Sequence, residues 1–368
     1  MRVLFIFGTR PEAIKLCPLI RQMRGAGEFE VRVCVTAQHR EMLDQILRAF
    51  DVVPDDDLNV MSPGQTLFRS TSRILEGLEA VIERHAPDAV LVQGDTTSTL
   101  CGALGGFYRG VAVGHVEAGL RTGTVREPFP EEMNRVLVGR LATYHFAATP
   151  GAVENLRGEG VAEDRILLTG NTGIDAVLQV KSRLERGELE GFRGRIPSDR
   201  PTILVTAHRR ESFGAGLREI CLAIRDLARS GAHVVFPVHP NPQVRQAARE
   251  VLEGTGEVEL LEPLDYVPFV DLMIRSDLLL TDSGGIQEEG PSLGKPVVVM
   301  RERTERPEGV AVGAATLVGT NRELIVRTVQ ERLQGWQGKG NGTVRHVYGD
   351  GCASQRIAAY LAGRLAGR

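Results

Sequence analysis

The chain has 368 residues, which is long for one hydrophobic core and enough for two α/β domains. Its 42% hydrophobic and 25% charged residues are ordinary for a globular protein, and a net charge of -3 gives no electrostatic reason to expect binding to nucleic acid or to a membrane. The five cysteines form no CxxC pair, which argues against a disulfide framework and a zinc site. No apolar run is long enough for a signal sequence or a membrane span, so we expect a cytoplasmic protein.

The first predicted strand, VLFIFG at 3–8, ends in a basic turn. Pro11 suits the first turn of a helix, so Arg10 and Lys15 are expected in the loop and the first helical turn after the strand. In a doubly wound sheet, ligands bind at the carboxyl ends of the strands. The two cations therefore belong either to a ligand site or to a solvated basic turn.

Further strands are predicted at 31–36 and 89–94, with an amphipathic helix from about 66 to 85 between them. Asp95 follows the second of these strands after a single glycine. An aspartate in this position either caps the next helix or projects into the crevice beyond the strand. One side chain cannot easily do both, and the sequence leaves the choice open.

The predicted strand at 111–115 is followed by the densest polar region of the sequence. Glu117 comes soon after the strand, and Glu131 opens a helix after a proline-rich loop that brings the chain back to the same crevice. Near a nucleotide, paired carboxylates provide the proton transfer that a weakly acidic carbon or hydroxyl requires. The alternative is a surface network of ion pairs, which fits Glu127 and Glu132 better than Glu117. The arginines available for such a network are Arg121, Arg126 and Arg135.

The second half of the chain repeats the same α/β rhythm after two short strands at 144–148 and 166–169 and a linker-like loop at 191–198. Its apolar runs lie at 202–208, 233–239, 257–263, 277–281, 296–300 and 315–318. Each of these runs is followed by a polar cluster, and parallel strands bring such clusters to one edge of the sheet.

The stretch DLLLTDSGGIQEEG at 277–290 predicts an anion site. A buried strand stops at a turn in which Gly284 and Gly285 let the backbone approach a ligand and Ser283 adds a hydroxyl. The N–H groups of the first helical turn would face phosphates, and Glu289 could bind the paired hydroxyls of a ribose. The alternative is a tight strand–helix turn with an ordinary N-cap.

Together these patterns predict two Rossmann-like, doubly wound parallel-sheet domains that face each other, with the active site in the cleft between them. We expect an N-terminal domain at 1–171 that carries the chemistry, a nucleotide-binding domain at 172–350, and a C-terminal helix at 351–368 that packs back on the first domain. The chain has neither a G-x-G-x-x-G fingerprint nor a phosphate loop, and no D-x-D or histidine cluster. We therefore expect no NAD chemistry, no NTP hydrolysis, no cofactor and no required metal.

The motifs resemble those of the bacterial non-hydrolysing UDP-N-acetylglucosamine 2-epimerases over essentially the whole chain. They are FGTRPEAIK (7–15), TAQHREMLDQ (36–45), GDTTST (94–99), GHVEAGLRTG (114–123), PEEMNR (130–135), GNTGIDA (170–176), AHRRESFG (207–214), PVHPNP (237–242), TDSGGIQEE (281–289), TERPE (304–308) and YGDG (348–351). The resemblance implies a GT-B fold, a homodimer, and interconversion of UDP-N-acetylglucosamine and UDP-N-acetylmannosamine for the synthesis of surface polysaccharide.

Transferred motif by motif, the resemblance also implies roles for individual residues. Asp95 and Glu131 are the candidates for proton transfer, and Glu117 serves the sugar, either in the same chemistry or by holding its hydroxyls. The diphosphate is neutralised by Arg10, Lys15 and His208. The nucleotide site comprises Phe269 at the uracil, Ser283, Gly284 and Gly285 at the phosphates, Glu289 at the ribose, and Arg306.

Some members of the family also bind UDP-N-acetylglucosamine as an activator beside the substrate. The matching motifs here contain Gln38, Glu41, Arg209 and Arg210. Two positions depart from the pattern of certain relatives. Gly64 stands where they carry a basic residue, and Leu264 stands where they carry a glutamine that reaches the base.

Three alternatives remain open from sequence. A hydrolysing relative would release N-acetylmannosamine and UDP, and a retaining glycosyltransferase would pass the sugar to an acceptor. A non-catalytic UDP-sugar-binding protein would need the nucleotide motifs but would have no use for Asp95, Glu117 and Glu131. The presence of all three carboxylates argues against the binding protein.

Overall fold

The computed structural model describes residues 1–36, 40–60, 64–334 and 346–366, with the side chains of residues 40 and 41 left out. The chain divides into two compact units. Unit 1 comprises Met1–Ala176 and Gly349–Arg368, and unit 2 comprises Val177–Tyr348.

Unit 1 is a parallel sheet with helices on its faces. Its strands are β1 (Arg2–Phe7), β2 (Glu30–Val35), β3 (Asp56–Asp57), β4 (Ala89–Gln93), β5 (Ala112–Ala118), β6 (Tyr144–Ala147) and β7 (Ile166–Leu168). Its helices up to the unit boundary are α1 (Arg10–Ala26), α2 (Arg40–Ala49), α3 (Leu67–His85), α4 (Thr97–Tyr108), α5 (Glu131–Leu141) and α6 (Pro150–Gly158), and α7 (Thr172–Glu185) crosses the boundary. The described strands lie in the order β3-β2-β1-β4-β5-β6-β7.

Unit 2 repeats this architecture. Its strands are β8 (Thr202–Thr206), β9 (His233–Pro237), β10 (Val258–Leu261), β11 (Leu278–Thr281), β12 (Val297–Val299) and β13 (Ala315–Leu317). Its helices are α8 (Ala215–Arg229), α9 (Pro242–Leu252), α10 (Tyr266–Arg275), α11 (Gly284–Ser292), α12 (Pro307–Ala311) and α13 (Arg322–Leu333). Within the described ranges the strand order is β10-β9-β8-β11-β12-β13.

The central strands are buried on both faces, which is why they read as unbroken apolar runs in the sequence. Every residue from Val3 to Phe7 in β1 has no exposed surface, and Leu278 to Leu280 in β11 are equally buried. The apolar runs singled out in the sequence all contain strands. Strand β3 was not predicted, because its two residues are both aspartates and only their pairing with β2 makes them a strand.

The C-terminal helix, α14 (Ala353–Leu365), belongs to unit 1 and packs against α1. The buried carboxylate of Asp175 accepts hydrogen bonds from the backbone N–H groups of Ala353 and Ser354, at 3.3 and 2.7 Å, so it caps the start of this helix. One turn from its end, the ring of Tyr360 meets the ring of Tyr144 edge-on at 5.7 Å.

Each sheet has one point at which the strand order reverses direction. This switch point lies between β1 and β4 in unit 1 and between β8 and β11 in unit 2. Open α/β sheets bind ligands beyond the carboxyl ends of the strands at such points. The loops that follow these four strands are therefore where each unit is expected to carry its functional groups.

No helix among the described residues has the length and apolar character needed to cross a lipid bilayer.

Candidate active site

A buried carboxylate joins the two loops at the switch point of unit 1. Glu12, in the first turn of α1, is 1% exposed and accepts the backbone N–H groups of Gly8 and Thr9 at 3.1 and 2.8 Å. Its other oxygen lies 2.8 and 3.0 Å from the hydroxyls of Thr96 and Thr99, which belong to the loop and helix after β4. Glu12 thus fixes the loop that leads to Arg10 against the loop that contains Asp95.

Glu117 occupies a strained position at the end of β5. Its φ of 64° lies in the left-handed region, and the pairing of β5 with β6 is irregular at this point. The carboxylate forms an ion pair with Lys15 and accepts hydrogen bonds from Gln93 at 2.5 Å and Asn171 at 3.3 Å. Strained backbone conformations cluster at functional sites, where they set the direction of a side chain. Here the contacts with Lys15, Gln93 and Asn171 hold the Glu117 carboxylate in place.

Asp95 lies beyond the carboxyl end of β4 and does not cap the next helix. That cap is Thr96, whose side chain accepts the backbone N–H of Thr99 at 3.1 Å. The Asp95 carboxylate instead forms an ion pair with Arg135 of α5 at 2.6 Å, and its backbone carbonyl accepts a hydrogen bond from Asn134 at 2.8 Å. The choice left open by the sequence is therefore decided against the capping role.

Glu131 and Glu132 open α5 side by side but have different surroundings. Glu132 is buried and accepts hydrogen bonds from Arg135 at 2.9 Å and from the backbone of Thr122 and Gly123. Burial alone would raise the pKa of Glu132, but these hydrogen bonds and the charge of Arg135 lower it below its usual value. In contrast, Oε2 of Glu131 is buried and has no hydrogen-bond partner among the described residues.

The ion-pair network predicted as an alternative therefore exists, but in a different form. It involves Glu132, as expected, while Arg135 is only 7% exposed and so is not part of the surface. Arg121 pairs with Glu159 instead of with a candidate carboxylate. The side chain of Arg10, at the start of α1, makes no hydrogen bond or ion pair within the described residues and is half-buried.

At the switch point of unit 2, Asp282 links the loops after β11 and β8. It has no exposed surface and accepts the backbone N–H groups of His208 and Arg209 at 2.7 and 2.8 Å. Its other oxygen lies 2.9 Å from Nδ1 of His208. The ring of His208 stacks on the ring of His239 with the centroids 5.6 Å apart. Burial would raise the pKa of Asp282, but the close contact with the His208 ring and the backbone hydrogen bonds from His208 and Arg209 keep it below its usual value.

The predicted anion site lies at the start of α11. Ser283 is the N-cap residue, Gly284 is buried and Gly285 is exposed at the helix N-terminus. A Cβ atom at Gly284 would lie 3.3 Å from the guanidinium carbon of Arg306, so glycine permits the close approach of that cation. Glu289 is half-buried in the second turn of the same helix. The N–H groups, the cation and the helix dipole together suit an anionic ligand.

The remaining candidates of unit 2 lie on the neighbouring elements. Phe269 is half-buried in α10, and Leu264 is half-buried just before that helix. Arg306 pairs with Glu288 of α11 at 2.7 Å, and its backbone carbonyl accepts a hydrogen bond from the buried hydroxyl of Tyr348 at 3.1 Å.

The four candidates for an activator site are described only in part. Gln38 lies outside the described residues, and Glu41 lies in α2 with its side chain left out. Arg209 is half-buried, with its Nε buried and without a hydrogen-bond partner in the described part of the chain, and Arg210 is exposed.

Four residues of the two switch points were not selected as site residues from sequence. Glu12 could have been found from the capping-box spacing Thr9-x-x-Glu12, which signals a helix start. Asp282 stands inside the selected TDSGG motif, while Gln93 and Arg135 have no local signal because their partners are distant in sequence. Among the described residues, no group of three His, Cys, Asp or Glu side chains could hold a metal ion.

Two Rossmann-like units, each with charged side chains gathered at its switch point, define a protein of the GT-B class, and the predicted fold is confirmed. A family model described as UDP-N-acetylglucosamine 2-epimerase matches residues 21–362. The chain belongs to this family, as the motifs indicated, and epimerases are isomerases.

Individual relatives agree over nearly the full length. The chain is 53% identical to a UDP-N-acetylglucosamine 2-epimerase of Yersinia pestis over 369 residues, which is 98% of each protein. It is similar to the crystal structure of the Neisseria meningitidis UDP-GlcNAc 2-epimerase bound to UDP-GlcNAc, with 43% identity, a TM-score of 0.89, and coverage of 99% of this chain and 100% of the other. It is also similar to a Staphylococcus aureus protein solved with UDP, with 42% identity, a TM-score of 0.84, and coverage of 99% and 97%.

Proposed function

We propose that the chain catalyses reversible epimerisation at C2 of UDP-N-acetylglucosamine to UDP-N-acetylmannosamine, without net hydrolysis. The observation that carries this proposal is the set of carboxylates of unit 1: Glu117 is paired with Lys15, Asp95 is paired with Arg135 of α5, and Glu131 opens that same helix. A protein that only bound a UDP-sugar would not need them. The UDP-GlcNAc and UDP present in the relatives' structures support the choice of substrate.

The proposed reaction begins with cleavage of the bond between C1 and the diphosphate oxygen, whose electron pair leaves with UDP. The C2 hydrogen of the sugar is not beside a carbonyl, so direct deprotonation would be too slow. Positive character at C1 makes this hydrogen acidic, and its transfer to a protein base gives 2-acetamidoglucal. UDP then adds back to C1 while a proton returns to the opposite face of C2. The reaction needs two acid/base groups and a site that retains UDP.

Asp95 and Glu131 are the proposed proton-transfer pair. Asp95 is held by Arg135 and is not used as a helix cap, while Glu131 has a buried oxygen that accepts no hydrogen bond within the described residues. Glu117 is already engaged by Lys15, Gln93 and Asn171, which suits a residue that holds sugar hydroxyls in a fixed orientation.

The nucleotide is proposed to bind through unit 2. Cations stabilise the diphosphate both as a leaving group and in the transition state, and we assign this role to Arg10, Lys15 and His208. The phosphates would lie at the N-terminus of α11 with Ser283, Gly284, Gly285 and Arg306 around them, with Glu289 at the ribose and Phe269 at the uracil. The helix N-terminus and Arg306 supply the positive potential that this assignment requires.

Proton NMR of the purified protein with UDP-N-acetylglucosamine in D2O tests the proposal. We expect UDP-N-acetylmannosamine to grow to a fixed ratio, with deuterium incorporated at C2 and little free sugar. Accumulation of N-acetylmannosamine and UDP would show a hydrolysing enzyme instead. An unchanged spectrum would leave only the binding function.

Variants of the carboxylates test the assignment of roles. We expect Asp95→Asn and Glu131→Gln to slow exchange of the C2 hydrogen by about 100-fold or more, because each removes one proton-transfer group. Glu154→Gln, which changes an exposed glutamate of α6 paired with Arg157, is the matched control and should exchange at the parent rate. Parent rates in both site variants would refute the assignment.

We further propose that the protein is a cytoplasmic homodimer. Apolar side chains are exposed on neighbouring helices of unit 1, with Phe68 of α3 88% exposed and Tyr108 of α4 70% exposed. Phe68 lies in the first turn of α3 and Tyr108 lies toward the other end of that helix, because the adjacent Arg109 pairs with Glu79 and Glu83. We propose that a dimer contact covers one of these two exposed aromatic side chains. Sedimentation should show a dimer that Phe68→Ser or Tyr108→Ser weakens, whereas Val53→Ser, at an exposed valine outside these helices, should not. A monomeric parent protein would contradict the proposal.

Activation by UDP-N-acetylglucosamine is also proposed, with Gln38, Glu41, Arg209 and Arg210 at the activator site. The unpartnered Nε of Arg209 and the exposed side chain of Arg210 supply the positive charge that a second diphosphate would need. We expect the reverse reaction from pure UDP-N-acetylmannosamine to show a lag that trace UDP-N-acetylglucosamine removes. A reaction that proceeds at a constant rate from the start, without added UDP-N-acetylglucosamine, would contradict activation.

A further inference from the structure

Asp282 is so placed that it can control both the position and the protonation of His208. It is fully buried at the end of β11, and a single oxygen, Oδ2, accepts the two backbone N–H groups of His208 and Arg209. The second oxygen, Oδ1, is 2.9 Å from Nδ1 of the His208 ring. Oδ1 has no hydrogen-bond partner among the described residues, so the contact is a close approach of Nδ1 to a carboxylate oxygen and not a formed hydrogen bond. Backbone and side chain of His208 are thus held by one carboxylate.

We propose that Asp282 is a positioning residue that holds a proton on Nδ1 of His208 and turns Nε2, on the far side of the ring, toward the substrate diphosphate, to which the doubly protonated ring donates. This inference rests on the proposed function, because His208 is assigned there to the diphosphate. A carboxylate beside one ring nitrogen selects the tautomer and stabilises the imidazolium, as in catalytic triads of hydrolases.

The other groups around His208 do not compete for this role. His239 stacks on the ring with an interplanar angle of 25°, so it presents a ring face to His208. Its pKa is lowered, first by burial and then by the charge of His208, which favours a neutral His239. Arg209 and Arg210 follow in the same loop, and the next residue, Glu211, is paired with Arg301 at 2.6 Å. Asp282 is therefore the anion that faces Nδ1.

The geometry makes a sharp prediction for Asp282→Asn. Two backbone N–H groups point at the position of Oδ2, so the amide oxygen must occupy that position. The amide NH2 group is then turned toward Nδ1 of His208 and can only donate to it. Nδ1 must become the acceptor, which moves the proton of the neutral ring to Nε2 and disfavours the doubly protonated cation.

Nitrogen-15 NMR of the full-length protein with labelled histidine measures the tautomer directly, and the His208→Gln spectrum assigns the His208 signals. We expect a protonated Nδ1 in the parent protein and a protonated Nε2 in Asp282→Asn. The turnover number of Asp282→Asn should fall by about 100-fold, the usual effect of removing one stabilising group from a developing charge. A merely structural role for Asp282 would not reverse the tautomer.

Asp277→Asn is the matched control. Asp277 flanks the other end of β11 and likewise accepts a backbone N–H of β8, that of Thr202, at 2.8 Å. It has no histidine partner within the described parts of the chain, so its variant should keep the His208 tautomer and the parent turnover.

A parent protein with its proton on Nε2 would overturn the proposal, and this spectrum decides the matter even if Asp282→Asn does not fold. Retention of the Nδ1 proton in Asp282→Asn would overturn it as well. If the tautomer reverses but the parent protein does not epimerise UDP-N-acetylglucosamine, the proposed function fails while the positioning role stands.

Discussion

Asp95 and Arg135 form an ion pair in which two nitrogens of the guanidinium lie 2.6 and 2.8 Å from one carboxylate oxygen of Asp95. A third nitrogen of the same guanidinium binds Glu132 at 2.9 Å, and Glu132 in turn accepts the backbone N–H groups of Thr122 and Gly123. Arg135 therefore orients a proposed proton-transfer carboxylate and anchors the polar loop after β5. Its planar fork makes both contacts at once, which a lysine could not do.

Replacing Arg135 should affect both stability and turnover. Arg135→Met leaves the buried Glu132 and the Asp95 carboxylate without their cation, so we expect a loss of about 3 kcal/mol in the free energy of unfolding. We also expect the turnover number to fall by about 100-fold, because Asp95 is no longer held in place. Arg135→Lys should recover most of the stability and little of the activity. Denaturant unfolding and the NMR assay measure the two effects.

Arg140→Met is the control for Arg135→Met. Arg140 lies in the same helix and donates to the backbone carbonyl of Glu159 at 2.9 Å, without a carboxylate of the site. It should change the free energy of unfolding by less than about 1 kcal/mol. Equal effects of the two substitutions would show that Arg135 has no special role.

The stability of unit 1 should depend on the protonation of Glu12. Burial raises the pKa of Glu12 above its usual 4.5, against the opposing effect of its hydrogen bonds. Below pH 4.5 the carboxyl is protonated in both the folded and the unfolded chain. At higher pH the unfolded chain releases this proton and the folded chain retains it, so stability falls by up to about 1.4 kcal/mol per pH unit until the folded-state pKa is passed.

Glu12→Gln removes this loss because the amide does not titrate. We expect its unfolding temperature to exceed that of the parent protein by an increasing margin as the pH rises above 4.5 toward neutrality. Glu12→Ala should be less stable at every pH because it leaves the N–H groups of Gly8 and Thr9 without their acceptor. Glu28→Gln, at an exposed glutamate, serves as the control. A constant margin between Glu12→Gln and the parent would contradict the titration.

Much of the fold could be predicted from the sequence, because buried parallel strands appear in it as unbroken apolar runs. Each run predicted a strand, and the carboxyl ends of those strands directed attention to Arg10, Asp95, Glu117 and Ser283. This works because the residue after a central strand has few places to point except the crevice at the sheet edge.

Contacts between distant segments could not be read in the same way. The sequence shows that Arg135 is four residues after Glu131, but the identity of its partner, Asp95, depends on how α5 packs against α4 and β5. The two-residue strand β3 exists only through its pairing with β2. The left-handed φ of Glu117 is equally invisible, because glutamate carries no local signal for it.

Two buried histidines of unit 1 should make the protein sensitive to acid. Burial lowers the pKa of His115 to about 3 and that of His145 to about 4, both from 6.5. Between pH 6.5 and the lowered pKa of each histidine, the unfolded chain binds a proton that the folded chain does not. The free energy of unfolding therefore decreases as the pH falls below 6.5. Each histidine contributes up to about 1.4 kcal/mol per pH unit to this loss.

His115→Gln should reduce the acid sensitivity and retain the fold. The ring nitrogen Nε2 of His115 lies 2.8 Å from the carbonyl oxygen of Gly94, a bond that a glutamine amide can replace without titrating. The unfolding temperature of the variant should therefore fall less steeply than that of the parent protein between about pH 6.5 and pH 4. His346→Gln, at an exposed histidine, should follow the parent curve. Identical curves for parent and His115→Gln would refute the contribution of His115.

The hydroxyl of Tyr348 fixes the segment of unit 2 that contains Arg306. It donates to the carbonyl oxygen of Arg306 at 3.1 Å and accepts the N–H of Gly309 at 2.9 Å, and the side chain is only 2% exposed. Tyr348→Phe leaves both backbone groups without this partner, which costs about 1–3 kcal/mol. Since Arg306 is assigned to the nucleotide, we expect the dissociation constant for UDP, measured by calorimetry, to rise by about 10-fold.

Gly309 provides an internal test of the same contact. A Cβ atom at this position would lie 2.8 Å from the Tyr348 hydroxyl, so Gly309→Ala must displace the phenol and should also weaken UDP binding. In the double variant, Gly309→Ala with Tyr348→Phe, the hydroxyl is absent and the added methyl group has room. Its loss of UDP-binding free energy should therefore be clearly smaller than the sum of the losses in the two single variants. Tyr360→Phe, which removes a hydroxyl bonded to the Asp164 carbonyl in unit 1, should leave UDP binding unchanged. Strictly additive losses would show that Tyr348 and Gly309 act independently on the nucleotide site.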